Sequence, residues 1–249
     1  LNLTISIITA VRNNKEFIED AIKSVLGQTY PHIEYIVIDG SSTDGTLDVI
    51  KKYEGKISRW KTESDDGIYE ALNKGIKLAT GDVVGFLHSD DLFIDNRAIE
   101  KIAGKFLTGN FDTVYSDLVY VSKNNTDKVI RYWRAGEYKR NSLKFGWMPP
   151  HPTFFSKRDG YIKCGLFNTG LGIAADYDMM IRLLTYYEDR VDYLNETLVK
   201  MRLGGASNRS VKQMIMKSRE DYITLKSNGF PLPLLTLILK NIRKLSQFF

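Results

Sequence analysis

The chain has 249 residues, 43% hydrophobic and 26% charged, the balance of a globular protein large enough to build a core without disulfides. A single cysteine, Cys164, excludes a disulfide framework or a cysteine-based zinc site within the chain and points to a reducing compartment. The 35 basic and 30 acidic residues form no like-charge run, which argues against a nucleic-acid footprint and leans weakly toward nucleotides, diphosphates or acidic lipid surfaces.

Residues 3–11 read as a buried strand, followed by a helix with Phe17, Ile18, Ala21, Ile22, Val25 and Leu26 on one face. A second apolar strand, 35–39, ends at Asp39 and meets Gly40-Ser41-Ser42-Thr43-Asp44-Gly45, a loop and helix-start signal. Ile68, Leu72, Ile76 and Ala79 make the stripe of another helix, and Gly81-Asp82 turns the chain into a strand at 83–87. That strand runs directly into His88-Ser89-Asp90-Asp91. Strand and helix alternate to about residue 108, the pattern of a parallel sheet wrapped by helices. Beyond it the spacing predicts a hairpin over 113–122 and 128–134, helices over 177–187 and 211–226, and a strand over 191–199. The expected organisation is one compact unit with a lobe at 1–110, a second at 111–210 and C-terminal helices over 211–249.

Ligands of an open parallel sheet bind beyond the carboxyl ends of its strands. Those ends carry Thr9-Ala10-Val11-Arg12, Asp39 and His88-Ser89-Asp90-Asp91, so residues distant in sequence are expected along one edge. A carboxylate pair there can hold a divalent cation, and the cation can grip a diphosphate. Each residue also has a structural reading. Asp39 caps a helix or fixes a turn, or else accepts a base N–H. Arg12 is a solvated charge or pairs with phosphate. Asp66 is an N-cap and Gly75 a close packing point. Gly170-Leu171-Gly172-Ile173-Ala174-Ala175 fits G-x-G-x-x-A but follows a poor strand, which argues against a dinucleotide site, and no P-loop pattern occurs.

Taken together, Ile5–Asn13, Ile36-Val37-Ile38-Asp39-Gly40-Ser41-Ser42-Thr43-Asp44-Gly45-Thr46, Asp66–Ile76 with Ala79-Thr80-Gly81-Asp82, and Ala175-Asp176-Tyr177-Asp178 with Arg182-Leu183 resemble family 2 glycosyltransferases over about residues 4–208. The Asp66–Ile76 motif with Ala79-Thr80-Gly81-Asp82 is similar to the branch acting in bacterial exopolysaccharide pathways of the colanic-acid type. The resemblance implies an α/β GT-A fold: a Rossmann-like, mixed but mainly parallel sheet flanked by helices, with a C-terminal acceptor-side lobe and a helical tail. It implies an inverting, non-processive transfer of a sugar from a nucleotide-diphosphate sugar to a hydroxyl of a glycan or lipid-linked glycan. The Q-x-x-R-W signature of processive members is absent. Thr9, Ala10, Val11, Arg12, Asp39, Asp66, Asn73, Ser89 and Asp90 would bind the donor. Asp90, Asp91 and His88 would hold Mn²⁺ or Mg²⁺, with His88 standing where the family often has an Asp. Asp176 would be the catalytic base and Asp178 structural. His151, Arg202 and Ser207 would face the acceptor or diphosphate. Two other readings stay open: a sugar-nucleotide pyrophosphorylase, which should carry a glycine-rich loop that Ala10-Val11-Arg12-Asn13-Asn14 lacks, and a non-catalytic nucleotide-sugar binding protein.

Within 231–249, Leu235, Ile238, Leu239, Ile242 and Phe249 project on one side and Lys240, Arg243, Lys244 and Gln247 on the other. Two placements stay open: a helix on an anionic membrane surface near a lipid-linked acceptor, or one packed on the domain or on a second subunit of a homodimer. No stretch reaches the roughly 18 apolar residues of a spanning helix, and no signal-peptide pattern precedes the first strand. The expected location is cytoplasmic, peripheral on the inner face of the membrane.

Overall fold

A computed structural model describes residues 2–204 and 211–244, with the side chains of 211–214 outside the description. One mixed sheet runs through these residues. Its parallel part is β1 (Ile5–Val11), β2 (Ile33–Asp39), β3 (Arg59–Thr62) and β4 (Val83–Phe86), in the spatial order β3-β2-β1-β4. Strands β5 (Leu92–Phe93), β6 (Thr113–Ser122), β7 (Asn125–Trp133), β8 (Phe155–Lys157) and β9 (Val191–Arg202) continue it as β8-β6-β9-β5, with β7 paired to β6 as a hairpin. β8 is antiparallel to both β4 and β6, and this short strand joins the two halves.

The period-2 alternation of β1 sorts its side chains onto two cores. Ile5, Ile7 and Val11 face α1 (Ile18–Leu26), α2 (Thr46–Lys51) and α4 (Ala98–Thr108). Ile8 and Ala10 face α3 (Ile68–Leu78) and α6 (Ala175–Tyr187). Between the last two lie α5 (Arg158–Lys163) and a 3-10 turn at Thr169–Ala174, and α7 (Val211–Ser227) and α8 (Pro233–Arg243) close the chain. The G-x-G-x-x-A match falls on that turn, where no strand feeds a helix, so it has none of the geometry a dinucleotide site needs. α3 approaches β1 through Gly75, where a Cβ would stand 2.4 Å from Ile8 Cγ2. Buried Glu34 accepts from Ser6 Oγ, the Thr80 backbone and hydroxyl, and the Gly81 N–H. Thr80-Gly81 therefore holds the amino end of the sheet, opposite the edge where the candidate site lies.

Candidate active site

Parallel register brings the strand ends level: Val11 pairs with Asp39, and Asp39 with Thr62. Asp39 is fully buried. Its Oδ2 accepts from the Ser42 N–H at 3.1 Å and from the Thr62 hydroxyl at 2.6 Å, while Oδ1 has no hydrogen-bond partner. Buried carboxylate oxygens are normally satisfied, so the orphan marks an acceptor position suited to an incoming N–H. The loops after β1 and β2 interlock around it. Asn13, at φ 51°, donates its N–H to Ser42 Oγ and accepts the Thr43 N–H. Asn14 Nδ2 donates to Ser89 Oγ at 2.8 Å, linking these loops to the acidic segment.

That segment is clamped from beneath. Asp91 is buried, and its Oδ1 accepts the Arg202 N–H at 3.1 Å while Oδ2 has no partner. Burial, then the adjacent Asp90 charge, push the Asp91 pKa far up. The buried Arg202 guanidinium donates to the Asp90 carbonyl, the Lys123 carbonyl and Asp20, and lies 4.6 Å over the Phe17 ring. Each of its three guanidinium nitrogens donates to a protein partner, so Arg202 sits here as the support of the acidic loop. Ser207 lies outside the described residues.

Two histidines extend the site toward α6. His88 Nε2 lies 2.7 Å from His151 Nε2, and His151 Nδ1 lies 3.2 Å from Asp176 Oδ2. The Asp176 Oδ1 accepts the Tyr177 N–H in the first turn of α6. A cavity of about 30 Å³ adjoins the trio, walled by Tyr69, Phe86, Phe154, Phe167 and Met180. These apolar walls disfavour charge. Burial lowers His88 to about 4, helped by His151, and lowers His151 to about 3, helped by the cation of Lys217. Burial also raises the Asp176 pKa, opposed by Lys217 and Lys240. Near neutral pH the trio is therefore the Asp176 carboxyl group facing two neutral imidazoles, the nearer at 3.2 Å.

Other expected residues play supporting parts. Thr9 is buried, donates to the Leu87 carbonyl and accepts from Tyr35, so it ties β1 to the β4 exit. Ala10 and Val11 are core side chains, and Arg12 is exposed at the edge. Asn73 exchanges both amide groups with the Phe167 backbone. Asp66 is exposed, and it is Asp65 that stands against Gly40, with Oδ2 2.5 Å from where a Gly40 Cβ would be and Arg12 Cβ 3.4 Å from the same point. Asp178 pairs with Arg182, which in turn donates to the Cys164 and Leu166 carbonyls. Tyr69, Asp65 and Lys217 are the residues that pattern reading did not single out. Tyr69 lies within the Asp66–Ile76 motif and Asp65 just before it, whereas nothing local marks Lys217.

Among the described residues, no three His, Cys, Asp or Glu side chains are gathered to hold a metal ion. His88 Nε2 is occupied by His151 and Asp91 is sealed under Arg202. Asp90 is the acid of the group that is partly open. One carboxylate fits a hard cation that takes the rest of its shell from phosphate and water.

The Glycosyl transferase family 2 model matches residues 6–166. An uncharacterized glycosyltransferase of Mycobacterium tuberculosis is 31% identical over 191 residues, 72% of this chain and 68% of its own. A Mycobacterium bovis PGL/p-HBAD biosynthesis glycosyltransferase is 27% identical over 218 residues, covering 85% and 82%. Among solved structures, Staphylococcus aureus TarS 1-349 in complex with UDP-GlcNAc superposes with a TM-score of 0.68 at 17% identity over 93% of this chain and 73% of that one. A Pyrobaculum calidifontis mannosyltransferase in complex with GDP-Man and Mn²⁺ gives 0.67 at 18% over 97% and 69%. The fold is that of GT-A glycosyltransferases, and the chain is a glycosyltransferase belonging to glycosyl transferase family 2.

Proposed function

We propose that the chain transfers a sugar from a nucleoside diphosphate to an acceptor hydroxyl with inversion, in the building of a cell-surface glycan or glycolipid. The single observation that carries this reading is the set of contacts Asp39–Ser42–Asn13, Asn14–Ser89 and His88–His151–Asp176, which links five segments, at 13–14, 39–42, 88–89, 151 and 176. Asp39 Oδ1 would accept a base N–H, and Arg12 would meet phosphate. Asp90 would hold a divalent cation, which when bound offsets charge on the departing diphosphate.

On the acceptor side, Asp176 takes the hydroxyl proton as that oxygen bonds to the anomeric carbon and the bond to the diphosphate breaks. His151, donating from Nδ1, orients the carboxylate, and His88 orients His151. Asp176's raised proton affinity suits a base better than an ordinary solvated carboxylate would. The donors named in the solved neighbours, UDP-GlcNAc and GDP-Man, support the substrate class, and the relative named for PGL/p-HBAD biosynthesis supports a biosynthetic sugar transfer.

Asp176→Asn tests the assignment. Transfer by the purified enzyme should fall by about 10³-fold, with calorimetric binding of the donor and Mn²⁺ unchanged. Undiminished transfer would remove Asp176 as base. Screening UDP-, GDP- and dTDP-sugars by thermal shift identifies the donor, since a ligand at 100 times its Kd stabilises by about 2.7 kcal/mol.

A further inference from the structure

The outer side of α8 takes no part in the proposed reaction. The helix packs inward through Thr236, Leu237 and Lys240. Thr236 Oγ1 donates to the Lys144 carbonyl at 2.9 Å, and the Gly146 backbone passes so close that a Cβ there would stand 2.2 Å from the Lys240 nitrogen. Lys240 Nζ reaches 2.9 Å from Asp221 and 3.3 Å above the Tyr177 ring. The apolar residues left over point outward: Leu234, Leu235, Ile238 and Ile242 are 48% to 61% exposed, and neighbouring Phe145 is 56% exposed. A surface helix normally turns such residues inward.

The rim of this patch is cationic. Arg243 Nε donates to the Phe145 carbonyl at 3.0 Å, which fixes a guanidinium beside the apolar side chains, and exposed Lys144 adjoins on the same turn. From Tyr222 to Phe249 the sequence contains no acidic residue.

We propose that this face of α8, with the turn at 144–146, docks on an anionic lipid surface. Leucine and isoleucine side chains enter the boundary between head groups and acyl chains, and Lys144 and Arg243 meet lipid phosphates at its level. A second copy of the chain is the competing occupant. A two-fold contact through the same face would bring the Lys144 and Arg243 cations of both copies together, with no acid on α8 to pair them. The reading of Asp176 as base gives the docking its purpose and is the part on which this inference rests. Through Lys240 and Tyr177 the docked helix sits directly behind the residue next to that base, which would hold a lipid-linked acceptor on Asp176's side.

The test is sedimentation of the full chain with vesicles, without donor or acceptor. The wild type should partition onto phosphatidylglycerol/phosphatidylcholine vesicles and not onto phosphatidylcholine alone, with binding weakened by salt. Ile238→Glu/Ile242→Glu should lower partitioning at least ~10-fold while its thermal midpoint and its transfer to a soluble acceptor stay unchanged. Equal partitioning of wild type and double variant, or no partitioning of the wild type, overturns the proposal. So does a concentration-dependent dimer, abolished by the double variant, in a chain that ignores vesicles. Loss of the base assignment would appear only in the transfer assay and would leave vesicle partitioning unmoved.

Discussion

His88 Nε2 and His151 Nε2 stand 2.7 Å apart, and His151 Nδ1 lies in turn 3.2 Å from Asp176 Oδ2. One of the two nitrogens must donate and the other accept. With Asp176 ionised, the proton of His151 is favoured on Nδ1, the nitrogen 3.2 Å from the carboxylate, so its Nε2 accepts and His88 donates. The order of donors follows from one negative charge at the end of the line.

That order sets a pH dependence. Both imidazoles have folded pKa values below the ordinary 6.5, about 4 for His88 and about 3 for His151. At these two sites the unfolded chain binds more protons than the folded one as pH drops below 6.5. The stability they hold above that value is lost progressively as pH falls toward 4 and below. Asp91 and Asp176, whose pKa values burial raises, act in the opposite sense. The thermal midpoint of His151→Asn should therefore decline less toward low pH than that of the wild type. Turnover should fall on the acid side with a midpoint above the ordinary carboxylate range, because burial raises Asp176. A pH–rate profile with no such limb would count against the base.

Asp39→Asn keeps an oxygen for Ser42 N–H and Thr62 but puts an amide NH₂ where the unpartnered Oδ1 stands. A base N–H would then meet a donor. Nucleotide binding, read by calorimetry, should weaken by about 10- to 100-fold with little change in the fold's own stability, as expected for a mismatched hydrogen bond of about 1.5–3 kcal/mol. Unaltered affinity would place the base elsewhere.

Arg202→Met removes the donors to the Asp90 and Lys123 carbonyls and to Asp20, in a side chain only 6% exposed. Asp20 remains half in water, which limits the loss to about 2 kcal/mol of stability in a denaturant titration. Because Arg202 holds the acidic loop, Mn²⁺-dependent donor binding should weaken too. A direct diphosphate contact would instead weaken binding and leave stability alone.

Gly75→Ala places a methyl 2.4 Å from Ile8 Cγ2, between α3 and β1. Overpacking of this kind costs about 1–3 kcal/mol, against a helix-propensity gain of about 1 kcal/mol for alanine. A net loss in chemical denaturation is expected, and a more stable protein would show that the helix can move off the sheet.

Periodicity along the chain determined most of the scaffold. Continuous apolar runs placed β1, β2 and β4, buried on both faces, and apolar stripes placed α1, α3 and α6, because how much of an element is buried shows in the spacing of its own residues. The acids at strand ends were visible for the same reason: an apolar run that stops at Asp39 or at Asp90 marks its own carboxyl edge. Strands β3, β5 and β8 were not legible, since two to four residues are too few to show a period. Partnership was decided only in three dimensions. His88 and His151 lie 63 residues apart, and Arg202 lies 182 from Asp20. Asn73 and Thr9 carry the residue types of a ligand pocket, yet their polar atoms are used by the Phe167 backbone and the Leu87 carbonyl. Lys240 turned inward beside Leu237, and Leu234, Leu235, Ile238 and Ile242 outward, because Asp221 and Tyr177 form a polar, aromatic seat beneath that helix. A side chain's hydrogen-bond and charge partners depend on which elements the folded sheet brings side by side, and that adjacency is a property of the packed whole.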